Sequence, residues 1–242
     1  KSLLESHNTA IFSANFALYG DLSQRIMAIL ARFTPDLEVY SVDEAFLWCP
    51  DDNRIELGVK IKKTIQQQLG IPVSIGIGKT KTLAKVANHF AKKRNWGVFS
   101  IHTCAEDEML KQFDIADIWG IGRQHRKFLN RHGIYTAKQF KYLSEKWVEK
   151  QLHKPGLRTY LELHGKACIP LELVIEKRKS ILSSRSFGYP ISELGPLQAA
   201  LAANIIKAAE KLRQENQRAR HITVFIRSSP FKEDLFNFIL PP

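Results

Sequence analysis

Apolar residues recur at helical spacing between Ala17 and Ala31, where Leu18, Leu22, Ile26, Ile29 and Leu30 share one face. A second such stretch runs from Arg54 to Leu69, with Ile55, Leu57, Ile61 and Ile65 facing one way. Between the two, Leu37, Val39 and Val42 precede Asp43-Glu44, and Ala45, Phe46, Leu47 and Trp48 follow it. Two apolar, β-prone runs around a polar pair predict a tight hairpin. After Gly70 and Pro72, the alternation of Val73 to Ile77 predicts a strand, followed by a helix from Thr80 to about Lys93 and a short strand around Val98 to Ile101. Helices and strands alternate over this region, which predicts an α/β (α+β) architecture. From Glu106 to about Gly165 the pattern is helical, with Gly120-Ile121-Gly122 and Gly133 at the turns. It weakens between Lys166 and Lys179, where Lys177-Arg178-Lys179 forms a basic run suited to a linker. The remainder predicts a strand (Ile181 to Phe187), a helix (Leu197 to Arg213) and a strand (Ile222 to Ser228), the two strands pairing. No repeat or low-complexity tract interrupts the chain.

Composition narrows the partners. At 242 residues and 44% hydrophobic, the chain can bury a substantial core in one large domain or two to three small ones. A net charge of +12 and a pI near 9.6 point to a polyanion. Nucleic acid fits better than a membrane, since no apolar run is long enough to span a bilayer and no secretory signal opens the sequence. Cysteines at 49, 104 and 168 are odd in number and lack any Cys-x-x-Cys pattern, so neither a disulfide framework nor a zinc site is indicated. A reducing cytoplasm is the expected compartment.

Candidate chemistry centres on Asp43 and Glu44. An Asp-Glu pair between strands is by itself an ordinary solvated turn. The aromatic and apolar crowding on both sides instead argues for a buried hairpin that holds the carboxylates rigidly, where hard divalent cations can meet a substrate phosphate. Gly78-Lys79-Thr80, at a strand-to-helix junction, is not a P-loop: that pattern needs a glycine five places before Gly78, where Val73 stands. Here the glycines let a helix pack close to the sheet, and Lys79, Lys81 and Lys85 lie near its start. Around Gly120 and Gly122, backbone N–H groups and a following helix N-terminus can hold a phosphate without reading a base, with Arg123, Arg126 and Lys127 adding charge. Ser183, Ser184, Arg185 and Ser186 offer hydroxyls and a guanidinium on the expected strand opposite Arg227, and Arg185 and Arg227 are the candidates there for gripping phosphates.

Four of these segments resemble, in order, motifs of the Y-family translesion DNA polymerases. Tyr40-Ser41-Val42-Asp43-Glu44-Ala45-Phe46-Leu47 looks like the family's second catalytic motif. Ser74-Ile75-Gly76-Ile77-Gly78-Lys79-Thr80-Lys81-Thr82-Leu83-Ala84-Lys85-Val86-Ala87-Asn88 resembles its strand-to-helix segment, and Trp119-Gly120-Ile121-Gly122 its thumb hairpin. Ser183-Ser184-Arg185-Ser186-Phe187-Gly188 is similar to the first strand of its little finger. Within the family the likeness is greatest to the UmuC-type catalytic subunits of SOS-induced polymerase V.

The resemblance implies an incomplete palm over 1–104, a thumb with a helix-hairpin-helix over 105–166, a linker over 167–179 and a partial βαβ little finger over 180–242. It implies template-directed DNA synthesis across damage by two-metal nucleotidyl transfer, with Asp43 and Glu44 ligating two Mg2+ ions in the intact enzyme. Lys92 would contact the deoxynucleoside triphosphate, with Lys93 the neighbouring alternative. Gly120, Gly122, Arg123, Lys127, Ser184, Arg185 and Arg227 would contact primer–template DNA. A UmuD-type subunit, a recombinase filament and the sliding clamp are the implied partners. The family's opening strand, with a further metal-binding Asp, its steric gate and its fingers have no match here. The chain is therefore expected to be an internal fragment, itself unable to catalyse. Alternatives are a DNA-binding module without chemistry and a nucleotide cyclase-like palm enzyme; the helix-hairpin-helix and basic tail argue against the cyclase.

Overall fold

A computed structural model of the chain describes residues 6–7, 9–10, 12–50, 53–101, 106–174, 178–229 and 232–239. It divides into two compact units, Lys1–Leu173 and Val174–Pro242. Lys177 of the basic run lies outside the described residues.

In the first unit, helix α1 (Phe16–Leu30) is capped by Asn15, whose side chain accepts from Leu18 N at 3.1 Å. Strands β1 (Leu37–Val39) and β2 (Ala45–Leu47) form the expected antiparallel hairpin, with Glu38 opposite Phe46. Helix α2 (Arg54–Leu69) ends at Gly70 in the left-handed conformation, φ 71°. Its Ile61 and Ile65 pack with Ile29 and Leu30 of α1 against Leu37, Ala45 and Leu47, so these parts of the two helical stripes close over the hairpin, while Leu18 and Ile55, expected on the same faces, stay exposed. Next comes a βαβ unit: β3 (Ile75–Ile77), α3 (Lys81–Lys93) and β4 (Val98–Ser100), the strands parallel with Ile75 opposite Val98. Its tightness depends on Gly76. A Cβ there would sit 2.1 Å from Asn88 N and 2.2 Å from Ala84 O, so only glycine lets α3 lie this close to β3.

The N-terminus of α3 ties several segments together. Thr80 caps it, accepting from Leu83 N at 3.2 Å, and donates to Glu162 O at 2.9 Å. The Glu162 side chain is fully buried and accepts from Thr82 N at 3.1 Å, Cys168 N at 2.7 Å and Ile169 N at 3.2 Å. Lys81, also buried, binds the Glu38 carboxylate and donates to Pro170 O at 2.7 Å. Glu38 accepts in turn from Glu172 N at 2.8 Å.

The same helix starts the larger core. Leu83, Val86, Ala87 and Phe90 of α3 join Leu110, Phe113, Ile115, Leu129, Phe140, Val148 and Leu163 in one cluster. Those residues belong to or flank α4 (Glu106–Gln112), a 3₁₀ turn (Ile115–Asp117), α5 (Arg123–Arg131), α6 (Ala137–Lys141) and α7 (Glu145–Leu163). A capping box of Thr136 and Gln139 starts α6. Helix α7 breaks at His153, φ 56°, just before Lys154 and Pro155, where a proline ring restricts the preceding backbone. At the surface Tyr142 donates to Asp107 Oδ2 at 2.5 Å, and this bond, with Lys141 and Lys138 nearby, holds the Asp107 carboxyl below its ordinary range.

In the second unit, helix α8 (Leu194–Gln214) is followed by the antiparallel hairpin β5 (His221–Ser229) and β6 (Lys232–Ile239). Two expectations are corrected here. Ile181 to Phe187 is not a strand, and β5 pairs with β6 rather than with it: Val224 lies opposite Phe236. Sequence-adjacent segments close a hairpin with little loop entropy, whereas Ile181 to Phe187 would have to return across a whole helix. Its polar groups go to α8 instead, Ser183 Oγ lying 2.9 Å from Asn204 Oδ1 and Lys211 Nζ donating to Leu182 O at 3.3 Å. Among the described residues no helix is long and apolar enough to cross a membrane.

The Glu162 arrangement makes a direct prediction. Replacing Glu162 by Leu strands the buried N–H of Thr82 and the partly buried N–H groups of Cys168 and Ile169, at up to roughly 1–3 kcal/mol each. Urea denaturation should show a loss of several kcal/mol, on that same scale; a loss below ~1 kcal/mol would mean that the carboxylate does not cap α3.

Candidate active site and nucleic-acid interface

The turn between β1 and β2 is closed by Tyr40 N and Ser41 N, which donate to Glu44 O at 3.1 and 3.0 Å. Ser41 Oγ donates to Asp43 Oδ1 at 2.7 Å and accepts from Asp43 N at 3.3 Å, which fixes an exposed carboxylate at the tip. Glu44 lies beside it, half exposed, with both oxygens on Lys85 Nζ, at 3.0 and 2.9 Å. Two hard oxygen donors side by side, one of them already facing a cation, fit a divalent ion. Among the described residues no group of three or more His, Cys, Asp or Glu could hold a metal, and Asp51 and Asp52 lie outside those residues.

Lys85 arrives from α3, one turn after Lys81, so both ammonium groups reach the hairpin. Lys81 Nζ lies 5.1 Å from the Phe46 ring centroid. Lys85 Nζ lies 4.9 Å from that of Tyr40, 5.7 Å from Trp119 and 6.0 Å from Phe46. Trp119 Nε1 donates to Tyr40 OH at 2.9 Å, and its ring meets Tyr40 and Phe46 at centroid distances of 5.6 and 5.8 Å. The sequence alone puts Lys81 and Lys85 near a helix start and Trp119 at the head of a glycine motif, without showing that they meet the hairpin. The i, i+4 spacing of the two lysines was the available signal, since it puts both on one face. Lys92, in the last turn of α3, is exposed; seven residues beyond Lys85, it lies ~10 Å further along the same helix.

After Trp119 the chain enters the glycine turn. Gly120 has φ 94°, and a Cβ there would lie 2.4 Å from Thr159 Oγ1, which donates to Trp119 O at 3.3 Å. Its need for glycine is thus internal, set by α7 rather than by an outside ligand. Gly122 is different. It is the exposed N-cap of α5, makes no side-chain cap bond, and nothing lies within 4 Å of an added Cβ. The first N–H groups of α5 therefore face outward beside exposed Arg123, Arg126 and Lys127, an arrangement suited to an anion.

In the second unit, Ser184 and Arg185 are exposed on the irregular segment before α8, and Arg227 is exposed on β5. Arg185, Asn204 and Lys207 line a shallow groove. The structure thus keeps Asp43 and Glu44 together, puts Lys92 on the helix that carries Lys85, groups Gly120, Gly122, Arg123 and Lys127 at one turn, and leaves Ser184 and Arg185 on one segment of the second unit and Arg227 on another.

Two family models match, impB/mucB/samB over residues 1–89 and the impB/mucB/samB C-terminal domain over residues 178–238. Protein UmuC of Salmonella typhimurium strain LT2 is 36% identical over 230 residues, covering 91% of this chain and 54% of that protein. Protein MucB of Escherichia coli is 34% identical over 240 residues, covering 96% and 57%. A solved Y-family DNA polymerase chimera of Dbh and Dpo4 superposes with a TM-score of 0.78 at 26% identity, covering 98% of this chain and 69% of that one. The chain belongs to the Y-family DNA polymerases. It spans about half the length of the curated relatives just named. As a Y-family chain it is α+β, with the carboxylate hairpin and the glycine turn meeting at Tyr40 and Trp119.

The two glycines of the turn should behave oppositely. Gly120→Ala combines a positive φ with a clash and should cost ~1–3 kcal/mol of stability in urea denaturation. Gly122→Ala should cost about 1 kcal/mol or less, as at an ordinary N-cap. Equal losses would contradict the internal role of Gly120.

Proposed function

We propose that this chain is the partial palm, the thumb and the partial little finger of a UmuC-like translesion polymerase, with domains over 1–104, 105–166 and 180–242 joined by a linker over 167–179. The carrying observation is the carboxylate pair at the β1–β2 turn, with Glu44 already facing a cation. Asp43 and Glu44 would hold the magnesium ions, which when bound lower the pKa of a primer 3′-hydroxyl and neutralise the leaving pyrophosphate. Ser41 fixes the direction of Asp43, and Lys85 that of Glu44. Lys92, exposed beyond Lys85, would take the triphosphate. The open N-terminus of α5 at Gly122, with Arg123 and Lys127, would grip backbone phosphates, and Ser184, Arg185 and Arg227 would do so in the second unit. None of these contacts reads a base, which suits a damaged template. By family likeness the UmuD-type subunit, the recombinase filament and the sliding clamp would be partners of the whole protein, in the cytoplasm.

A second reading has its own support: two carboxylates without a third among the described residues also describe a DNA-binding module with no chemistry. Two-metal transfer needs ligands for both ions, so the 242-residue chain is expected to bind DNA without extending it.

The 242-residue chain should bind primer–template with little sequence preference, and log K should fall against log salt with a slope of about 0.9 per phosphate neutralised. Equal affinity at low and high salt would defeat the DNA reading. Primer extension in magnesium or manganese should be undetectable. Joining the relatives' N-terminal segment, with its metal-binding Asp, should restore it, and Asp43→Asn in that longer chain should abolish it again. Robust extension by the 242-residue chain alone would show that another carboxylate completes the site.

A further inference from the structure

Lys85 is bound in two ways at once. Its ammonium spans both oxygens of Glu44, at 3.0 and 2.9 Å, and faces the rings of Tyr40, Trp119 and Phe46 at 4.9 to 6.0 Å. A solvent-exposed ion pair has no such second seat. Here the side chain keeps only 25% of its exposure, and the ring faces, with their negative quadrupoles, offer a cation a place to go without returning to water. One of those rings, Trp119, donates to Tyr40 and leads directly into the Gly120 to Gly122 turn at the start of α5.

The geometry points to Lys85 as a displaceable counter-ion of the carboxylate hairpin, a positioning residue whose ammonium moves from Glu44 onto the Tyr40–Trp119 rings when another cation takes the carboxylate. A divalent ion and an ammonium cannot share the same two oxygens without strong repulsion at these distances. The flexible four-carbon stem lets the ammonium yield while the α3 backbone stays fixed. Loading of the hairpin is thereby passed to Trp119, at the root of the turn whose N–H groups face outward. The cation being a catalytic metal rests on the function proposed above; the relay from Glu44 through Lys85 to Trp119 does not.

The test labels the four tryptophans of the 242-residue chain with 5-fluorotryptophan and follows them by 19F NMR, Trp119 being assigned by its loss in Trp119→Phe. In metal-free buffer Glu44→Gln frees the ammonium and should shift the Trp119 resonance, leaving Trp96 and Trp147 in place as reporters of an intact fold. In a Lys85→Met background the same Glu44→Gln change should leave Trp119 unmoved, and Lys85→Arg, which keeps the charge, should restore the response. An unmoved Trp119 in Glu44→Gln alone, or an equal shift with and without Lys85, overturns the relay. Titrating magnesium into the unmutated chain should shift Trp119 in the same direction, and not in Glu44→Gln. A relay that responds to Glu44→Gln but not to magnesium keeps Lys85 in its role and removes the metal from the hairpin. A magnesium response that survives Lys85→Met keeps the metal and removes Lys85.

Discussion

The carboxylate of Glu162, fully buried, lies against the first turn of α3 and faces three backbone N–H donors. Burying an ionised group is costly unless its charge is answered, and the answer here is the positive end of a helix together with the amides of Cys168 and Ile169. Next to it, Lys81 and Glu38 form a buried pair that also engages Pro170 O and Glu172 N. Such pairs add little net stability over an apolar packing, but breaking one partner leaves a bare charge inside, so they specify one arrangement strongly. What they specify is the rotation of α3 about its axis. With Lys81 on Glu38 of β1, Lys85 falls one turn on and meets Glu44 at the far side of the hairpin turn, and Lys92 follows two turns later. The direction of the Glu44 carboxylate is thus set from the helix start, not from the hairpin alone.

The same helix also places the elements around the glycine turn. Leu83, Val86, Ala87 and Phe90 share one cluster with α4 to α7, so the glycine turn is carried by a packed core rather than by a flexible connection. Interiors packed to this degree shift between discrete arrangements more readily than they deform. The contact of Trp119 with Tyr40 is where that core touches the hairpin, and the close approach of Gly120 to Thr159 holds Trp119 there from behind.

Much of this was legible in the sequence because it is local. The α1 and α2 stripes, the β1–β2 turn and the β3–α3–β4 unit follow from periodicity, and Gly76 from its place in a strand facing a helix. What was hidden is long-range and polar. Lys81 and Lys85 sit at a helix start, where charge reads as solvated surface, and their partners lie 43 and 41 residues earlier. Glu162 lies 80 residues from Thr82, and no local pattern marks a glutamate in an amphipathic helix as buried. In the second unit, Ile181 to Phe187 reads locally as a strand, yet a local reading cannot say whether a partner edge is available. The closer partner of β5 is β6, whose charged run Lys232-Glu233-Asp234 blurs the strand signal.

On the proposed function, the division of labour follows from charge and geometry. Phosphates can be held by backbone N–H groups at Gly122 and by exposed guanidinium and ammonium groups, none of which distinguishes one base from another. Discrimination must then come from the alignment of reacting atoms at the hairpin, where displacements of about 1 Å change rates by orders of magnitude. A grip indifferent to the base, joined through Trp119 and Lys85 to carboxylates sensitive to small movements, places the selectivity of synthesis in the metal site and leaves the template contacts tolerant. That separation is what a damaged template requires, because a lesion alters the base while leaving the phosphate spacing available to the thumb.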